Sequence, residues 1–283
     1  MEFDVSLVYW SLGIVFGGAA LAYLVLVGGL YAAQRHLLYH PSDDRPRPGG
    51  ALAQAVEVLT IPAHDGLDLY SWWLPPATPE SPVIVYFHGN AGNQSDREVR
   101  IGLYRDRGWG AVLPTYRYNA GSGGIASEEA LIADGRAVLA WLRAAGIGPE
   151  RTILYGESLG TGIAVALASE ASLEGRRIAA GIVLDAPYDS VVAVARRVYW
   201  YVPVDRLLHD RFDSSARIKS VHIPILIGHG DADRVIDIRH GRALFKVANE
   251  PKTFAFKPGG GHTDLYEFGF LDDVAAFVQD VTE

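Results

Sequence analysis

One serine of the chain lies in a sequence context that could make its hydroxyl group a nucleophile. Ser158 is the centre of Gly156-Glu157-Ser158-Leu159-Gly160, which fits the pattern G-x-S-x-G. In that pattern the glycines let neighbouring backbone approach closely, so that the serine stands clear on a strained turn between a strand and a helix. A strand-like run precedes the turn and a helix-like segment rich in small residues follows it. The pattern therefore predicts a nucleophilic Ser158.

A serine nucleophile needs a base to take its proton and an acid to orient that base. With a G-x-S-x-G turn the chain order is serine, acid, histidine. Asp231 and Asp233 follow one predicted strand, and His262 ends a glycine-rich segment after the next. Since the carboxyl ends of parallel strands meet at one edge of a sheet, these side chains are expected beside Ser158. We predict His262 as the base, whereas spacing alone leaves Asp231 and Asp233 both open as the acid.

The other histidines suit the role of base less well, although an exposed loop residue is the alternative for His262 itself. Two lie beside the apolar N-terminal segment, one lies in a predicted hairpin turn, and one follows a buried strand, where it is interpreted as shaping a loop. The remaining four are interpreted as surface or packing residues. In chain order they are His36, His40, His64, His88, His209, His222, His229 and His240.

The negative charge that develops when a serine attacks a carbonyl group needs two N–H donors, an oxyanion hole. One donor is expected from the residue after the nucleophile, which is Leu159. The other is expected from the loop after an early strand, here His88-Gly89-Asn90-Ala91-Gly92-Asn93, through Asn90 or Ala91. A Gly-Asn turn without a catalytic task is the alternative for this loop.

Strand-like and helix-like segments alternate along the chain after residue 50, which predicts an α/β fold with a mostly parallel sheet covered by helices. The predicted helices are Glu128–Ala145, Leu159–Glu170 and Asp272–Val281. The predicted strands are Val56–Ile61, Leu67–Trp73, Val83–Phe87, Ala111–Leu113, Arg151–Tyr155, Ile178–Leu184, Ile223–Ile227 and Thr253–Phe256.

The N-terminal segment is uncharged from residue 5 to residue 34. The apolar run Val5–Ala33 exceeds the roughly 20 helical residues that cross a hydrocarbon core. A cleaved signal peptide is the alternative, but it would have a basic start and a shorter apolar stretch. We therefore predict a transmembrane anchor with its juxtamembrane segment over residues 1–40. A linker over Pro41–Gly50 opens the single domain predicted for 41–283.

Cations flank the apolar run on one side only. Arg35, Arg45 and Arg47 follow it, and no Lys or Arg precedes it. The positive-inside rule then predicts a single-pass protein with its N-terminus outside and the domain in the cytoplasm. Gly13 and Gly17 form a small-xxx-small pair that could support a weak homodimer through the anchor. Glycines with no such task are the alternative.

Composition excludes several classes of function. The 283 residues carry 25 Lys and Arg against 33 Asp and Glu, for a net charge of -8, with no dense basic cluster, so no nucleic-acid partner is expected. The absence of cysteine excludes disulfides, thiolate metal sites and cysteine nucleophiles. Because the histidines are dispersed and no phosphate-binding loop is present, neither a metal nor an organic cofactor is expected.

From about Gln34 to Phe277 the chain resembles the membrane-associated α/β hydrolases of the ABHD type, a group that includes protein depalmitoylases. The segments that carry the resemblance are Tyr39-His40-Pro41, His88-Gly89-Asn90-Ala91-Gly92-Asn93, Tyr116-Arg117, Gly121-Ser122-Gly123-Gly124, Gly156-Glu157-Ser158-Leu159-Gly160, Ala186-Pro187-Tyr188, Phe212-Asp213-Ser214, His229-Gly230, Asp233, His240-Gly241 and Gly261-His262.

The resemblance implies an α/β-hydrolase fold with a small cap at about residues 189–220, and it assigns the acid to Asp233. The sequence departs from the family pattern twice. The usual Arg-Gly-Tyr-Gly after the second parallel strand is Arg117-Tyr118-Asn119-Ala120, and a common proline after the acid is Asp237. Neither departure touches the three predicted catalytic residues.

The cap segment carries three consecutive aromatic residues, Tyr199, Trp200 and Tyr201. An aromatic cap suits an acyl chain, because apolar binding energy grows with the area buried; packing of the cap on the sheet is the alternative. A membrane anchor favours substrates already in the bilayer. The expectation is a membrane-anchored serine hydrolase acting on acyl esters or thioesters of lipids or acylated proteins. A serine peptidase of the same fold and a catalytically silent scaffold are the alternatives.

Overall fold

The computed structural model describes residues 5–283. Within them, one eight-stranded sheet has the order β1-β2-β4-β3-β5-β6-β7-β8. Strands β1 and β2 form an antiparallel hairpin, β2 also pairs antiparallel with β4, and the remaining pairs are parallel. The strands are β1 Glu57–Pro62, β2 Asp68–Leu74, β3 Val83–Phe87, β4 Gly110–Pro114, β5 Thr152–Glu157, β6 Gly181–Asp185, β7 Ile225–Gly230 and β8 Lys252–Lys257.

The central parallel strands are buried along their whole length, as β3 and β5 show. Helices cover both faces of such a sheet, which is why these strands read as continuous apolar runs. The helices are α1 Val5–Leu38, α2 Glu98–Asp106, α3 Glu128–Ala144, α4 Leu159–Leu173, α5 Val191–Val198, α6 Val204–Leu207, α7 Ser214–Arg217, α8 Ile238–Val247 and α9 Phe270–Thr282.

All eight predicted strands and the three predicted helices of the domain are present, with bounds shifted by a few residues. The sequence did not predict α2 and α8, and it treated the cap helices α5 to α7 only as an aromatic segment. The cap lies between β6 and β7, where the resemblance implied it.

Helix α1 contains the predicted apolar run. Its stretch Tyr9–Leu38 has a mean hydropathy of 2.1 in an exposed window, which suits a membrane anchor or a signal sequence. Residues 1–4 of the predicted anchor segment lie outside the described residues. A methyl group added at Gly13 or Gly17 would meet no other atom within 4 Å, so both positions are open on the helix surface. The homodimer stays a prediction.

The segment after α1 is irregular, as a linker should be, but it is fastened to the domain. Tyr39 is 2% exposed within the core. The Ser42 backbone donates from its N–H to Asn119 Oδ1 at 2.9 Å and accepts at its carbonyl from Ala120 N at 2.7 Å. The Pro46 carbonyl accepts from Trp72 Nε1 at 3.0 Å. The predicted linker is therefore a strap that holds α1 against the domain.

Candidate active site

Ser158 lies on the sharp turn between β5 and α4 that the G-x-S-x-G pattern predicts. Its backbone has φ 50 and ψ -116, in the left-handed region that side chains rarely adopt. The Ser158 N–H donates to the Asp185 carbonyl at 2.9 Å, which ties the turn to the end of β6. A methyl group at Gly160 would lie 2.0 Å from the Phe87 carbonyl oxygen, so only glycine lets α4 approach β3 this closely.

The three residues predicted for catalysis lie together at the carboxyl edge of the sheet. His262 Nε2 lies 2.9 Å from Ser158 Oγ, and His262 Nδ1 lies 2.8 Å from Asp233 Oδ2. Each distance is that of a hydrogen bond. Asp231 is not part of this chain of contacts, because its carboxylate is exposed and accepts from Gly259 N at 2.7 Å. The geometry therefore places Asp233, and not Asp231, behind the imidazole.

Asp233 is held from several sides. Its Oδ1 accepts from the backbone N–H groups of Val235 and Ile236, both at 2.8 Å. His229, which is fully buried, places Nε2 at 2.9 Å from the Ile236 carbonyl and 3.4 Å from Asp233 Oδ2. The sequence interpretation assigned His229 to surface or packing, and the structure makes it the buried neighbour of the acid. Its place directly at the carboxyl end of β7 is the signal that could have identified it.

Electrostatics reinforce the contact between the acid and the base. Burial alone would raise the pKa of the Asp233 carboxyl, but hydrogen bonds from His229 and His262 outweigh burial and hold that pKa well below its usual range. Burial alone would lower the pKa of His262, but its hydrogen bond to Asp233 and the negative charge there leave the pKa raised. The arrangement thus favours a carboxylate that stabilises a protonated imidazole.

The loop predicted to complete the oxyanion hole lies directly beside the serine. A methyl group at Gly89 would come within 3.5 Å of Ser158 Cβ. In the same loop, Asn90 turns its side chain away, donating from Nδ2 to the Leu38 carbonyl at 2.9 Å. Leu159 is the first residue of α4, where backbone N–H groups have no partner within the helix. The structure brings the Asn90 loop and Leu159 together at Ser158.

His88 is a loop-shaping residue, as interpreted from the sequence. It is buried, with Nδ1 at 2.7 Å from the Gly89 carbonyl oxygen and its ring against Tyr116. Burial lowers the pKa of His88 to about 4, so its imidazole is neutral at physiological pH.

A buried ionic cluster beneath the site was not predicted. Glu157, which precedes the nucleophile, is 2% exposed and accepts from Arg97 Nη2 at 2.6 Å and from Arg100 Nη1. Arg97 also donates to the Asn93 carbonyl at 3.1 Å, and Arg100 donates from Nη2 to the Thr263 carbonyl at 2.7 Å. The cluster therefore links the nucleophile turn to the Asn90 loop and to the loop that carries His262.

The charged groups of this cluster shift one another's pKa values. Burial alone would raise the pKa of Glu157, but the adjacent charges of Arg100 and Arg97 hold that pKa well below its usual range. Nearby Asp185 shows the opposite balance, because burial raises its pKa to about 6. Glu157 is therefore an anion with two cationic partners, whereas Asp185 takes up a proton at a higher pH than an ordinary aspartic acid does.

The three aromatic residues predicted for substrate contact differ in their exposure and in their position on the cap. Tyr199 is half-buried on the inner side of the cap and lines a cavity between the cap and α1. Trp200 is 80% exposed and Tyr201 38% exposed at the tip of the cap. The role of all three in binding stays a prediction.

Within residues 5–283, no group of three or more His, Asp or Glu side chains could hold a metal ion.

Both departures from the family pattern have a structural counterpart. Ala120 stands where the family has glycine, and it adopts φ 55 while fully buried. Arg117 keeps its ion pair with Asp134, with Nε at 2.9 Å from Oδ2. Asp237, in place of proline, caps α8 by accepting from Arg239 N at 3.1 Å. The departures are therefore accommodated outside the contacts of Ser158, His262 and Asp233.

Known proteins are similar to this chain in sequence. The chain is 34% identical over 238 residues to the uncharacterized protein Rv2307c of Mycobacterium tuberculosis, covering 83% of this chain and 82% of that protein. It is 33% identical over 206 residues to alpha/beta hydrolase domain-containing protein 17B of Xenopus laevis, covering 69% and 65%. No family model matches the chain.

The fold also matches solved structures. The Pyrococcus furiosus esterase Pf2001 superposes with a TM-score of 0.68 at 14% identity, covering 86% of this chain and all of that one. The sheet order, the serine turn and this likeness define an α/β-hydrolase fold, which confirms the predicted fold class. The chain therefore has the α/β-hydrolase fold, and its relatives include proteins of the ABHD type.

Proposed function

We propose that this chain is a membrane-anchored serine hydrolase that cleaves acyl esters or thioesters through an acyl-enzyme intermediate. The observation that carries the proposal is the continuous hydrogen-bonded chain Ser158 Oγ, His262 and Asp233, with distances of 2.9 and 2.8 Å. An activated serine with a base behind it, oriented by an acid, is the arrangement that acyl transfer requires.

The first half of the reaction forms the acyl-enzyme. Ser158 Oγ attacks the acyl carbonyl carbon while its proton passes to His262 Nε2, and the carbonyl oxygen becomes an oxyanion. Backbone N–H groups of Leu159 and of Asn90 or Ala91 stabilise that oxyanion. Collapse of the intermediate breaks the bond to the leaving alcohol or thiol, which takes the proton from His262.

The second half releases the acid. A water molecule loses a proton to His262 Nε2 and attacks the acyl carbon, and the bond to Ser158 Oγ breaks as the serine recovers its proton. Asp233 stays ionised throughout and stabilises the imidazolium. Its two backbone N–H donors and its lowered pKa support that role.

The membrane part of the proposal rests on α1. Its apolar length, the aromatic residues Tyr9, Trp10 and Tyr31 near its two ends, and the cations confined to its C-terminal side favour a single-pass anchor with the catalytic domain in the cytoplasm. An anchor of this kind holds the enzyme at the surface where acyl lipids and acylated proteins are concentrated.

Labelling with a fluorophosphonate probe tests the proposal directly. Wild-type protein in detergent should be labelled, whereas Ser158→Ala and His262→Ala should not, because the probe reacts only with an activated serine. Asp231→Asn is the matched control and should be labelled like wild type. An unlabelled wild type would overturn the proposal and favour a scaffold. Labelling followed by cleavage of amides rather than esters would instead indicate a peptidase.

A further inference from the structure

A cavity of about 270 Å³ lies between the last turns of α1 and the cap helices α5 and α6. Its walls are mostly apolar, and both α1 and the cap contribute residues to them. The walls include Leu30 and Leu37 of α1, Val194 and Ala195 of α5, and Val202 and Leu207 of the cap. Because one wall is the exposed apolar helix, the cavity continues the surface that a bilayer would cover.

Two of the polar side chains that line the cavity, Gln34 and Tyr31, already have partners. Gln34 accepts at Oε1 from His209 N at 2.8 Å and donates from Nε2 to the Leu207 carbonyl at 3.4 Å. The Tyr31 hydroxyl lies 2.8 Å from His209 Nε2. A polar ligand would have to leave its own groups unpaired here, which costs free energy. The chemistry of the walls therefore selects an apolar occupant.

Two hydrogen bonds connect the surroundings of the inner end of the cavity with residues of the predicted oxyanion hole. Leu38, which lines the cavity, accepts from Asn90 Nδ2 at 2.9 Å. On the cap side, Val191 lines the cavity three residues after Tyr188, whose hydroxyl donates to the Leu159 carbonyl at 3.0 Å. Asn90 thus contacts a residue of the cavity wall directly, and Leu159 contacts Tyr188, three residues before the wall residue Val191.

The outer end lies where hydrocarbon is expected. Tyr23 of α1 donates to the Tyr201 carbonyl at 2.8 Å, so the cap tip 198–202 lies alongside α1. Tyr23 lies eight residues before Tyr31, about 12 Å further into the apolar run of α1 at 1.5 Å per helical residue. Val198 and Trp200 at the tip are 59% and 80% exposed. Exposed apolar side chains at this depth suit contact with lipid.

We propose that this cavity is an acyl-chain site that opens sideways into the bilayer, and that the cap tip 198–202 dips into the lipid beside α1. The inference rests on the proposed function, which supplies the cleaved bond, an acyl ester or thioester. It deepens that proposal by naming where the acyl chain binds. The substrate is one whose acyl chain is already in the membrane and passes between α1 and α5 to reach Ser158. Both the site and the route follow from the apolar walls, the paired polar atoms and the contact between Tyr23 and Tyr201.

Filling the cavity tests the site. Ala195→Phe should lower kcat/KM for a palmitoyl ester by about tenfold or more, the range expected when an apolar pocket loses room for a few methylenes. The same variant should leave kcat/KM for an acetyl ester unchanged. Ala193→Phe, the same substitution off the cavity wall, should leave both unchanged. An equal loss for both esters in Ala195→Phe would overturn the acyl-chain site while the hydrolase proposal stood.

A second measurement does not depend on turnover. Full-length Ser158→Ala in phosphatidylcholine nanodiscs is irradiated with a lipid that carries a diazirine on its palmitoyl chain. Cross-links mapped by mass spectrometry should fall in peptide 191–208, should be lost in Ala195→Phe and should be kept in Ala193→Phe. Cross-links indifferent to Ala195→Phe would overturn the site, and this readout decides even where no ester is cleaved.

The depth of the tip is measured with a spin label, because the chain has no cysteine of its own. The label at Trp200→Cys in phosphatidylcholine vesicles should be accessible to oxygen and protected from an aqueous nickel chelate. Leu173→Cys is the control, since Leu173 is 75% exposed at the far end of α4 and should show the reverse. Equal access of the nickel chelate to both labels would overturn insertion of the tip.

Discussion

At the scale of single residues, Asp231 and Asp233 lie two positions apart but differ in their contacts, because only Asp233 is hydrogen-bonded to His262. Asp233→Asn should lower kcat by about 10⁴-fold, because an amide no longer fixes the imidazole tautomer that accepts the serine proton. Asp231→Asn should change kcat by less than about threefold, as a substitution at an exposed position away from the base. Steady-state kinetics on a soluble ester compare the two variants. Equal losses would contradict the assignment of the acid.

The raised pKa of His262 predicts how activity depends on pH. Only the neutral imidazole can take the proton of Ser158, so kcat/KM should fall as the pH is lowered through that pKa. The midpoint should lie above 6.5, the usual value for histidine, because Asp233 stabilises the protonated ring. A midpoint at or below 6.5 would contradict this.

The same cause predicts the effect of removing the charge. In Asp233→Asn the midpoint for His262 should move to lower pH, since burial is then opposed only by the smaller effects of Asp185 and Glu157 and no longer by the adjacent carboxylate. Titration of the histidine ring by NMR measures this in a Ser158→Ala background, with His262→Gln identifying the signal. A midpoint that stays or rises would show that another group sets the pKa.

At the scale of elements, the Glu157 cluster connects strands and loops that are remote in sequence. Glu157→Gln should lower the free energy of unfolding by about 3–5 kcal/mol, because it removes the buried anion that Arg97 and Arg100 share. Only exposed Asp96 then remains beside Arg97, and Asp185 lies 3.9 Å from Arg100. Glu170→Gln is the matched control, since its pair with Arg136 is exposed and should contribute only about 0–1 kcal/mol. Urea unfolding in detergent measures both. Similar losses would show that burial of the cluster does not matter.

A strand or helix could be predicted from the sequence where its inward-facing positions are mainly apolar. The parallel strands and α4 are centred on apolar runs and were predicted, as was the order of Ser158, Asp233 and His262 along the chain. Helix α2 was missed because two of its inward positions, Arg100 and Tyr104, carry polar groups. A pattern of apolar periodicity assigns arginine to the surface. The contact that buries Arg100 comes from Glu157, which no local pattern includes.

The contact of α1 with the cap was missed for a similar reason. Arg35 was interpreted as a flanking cation at the end of a membrane helix, whereas in the structure its Nε lies 3.0 Å from Asp210 Oδ2. Its partner is 175 residues away. Such pairings depend on the folded arrangement of the cap, so composition and spacing could indicate the anchor but not its docking.

At the scale of the whole molecule, orientation in the membrane can be measured because the chain has no cysteine. In intact cells, Glu2→Cys should react with a membrane-impermeant maleimide, whereas Glu283→Cys should react only after lysis. The physical reason is that cations are retained on the cytoplasmic side, and they all follow the apolar run. Labelling of Glu283→Cys in intact cells would reverse the proposed orientation.

The strap between α1 and the domain has a consequence for which bonds the enzyme can reach. Ser42, Pro46 and buried Tyr39 fix the chain to the sheet edge, so anchor and domain cannot swing apart on a flexible tether. In a bilayer, Ser158 is then held at one constant height above the lipid tails. For the proposed hydrolase, selectivity among substrates fixed in the bilayer should follow from depth as well as shape: scissile bonds at that level should be attacked, and identical bonds nearer the midplane should not.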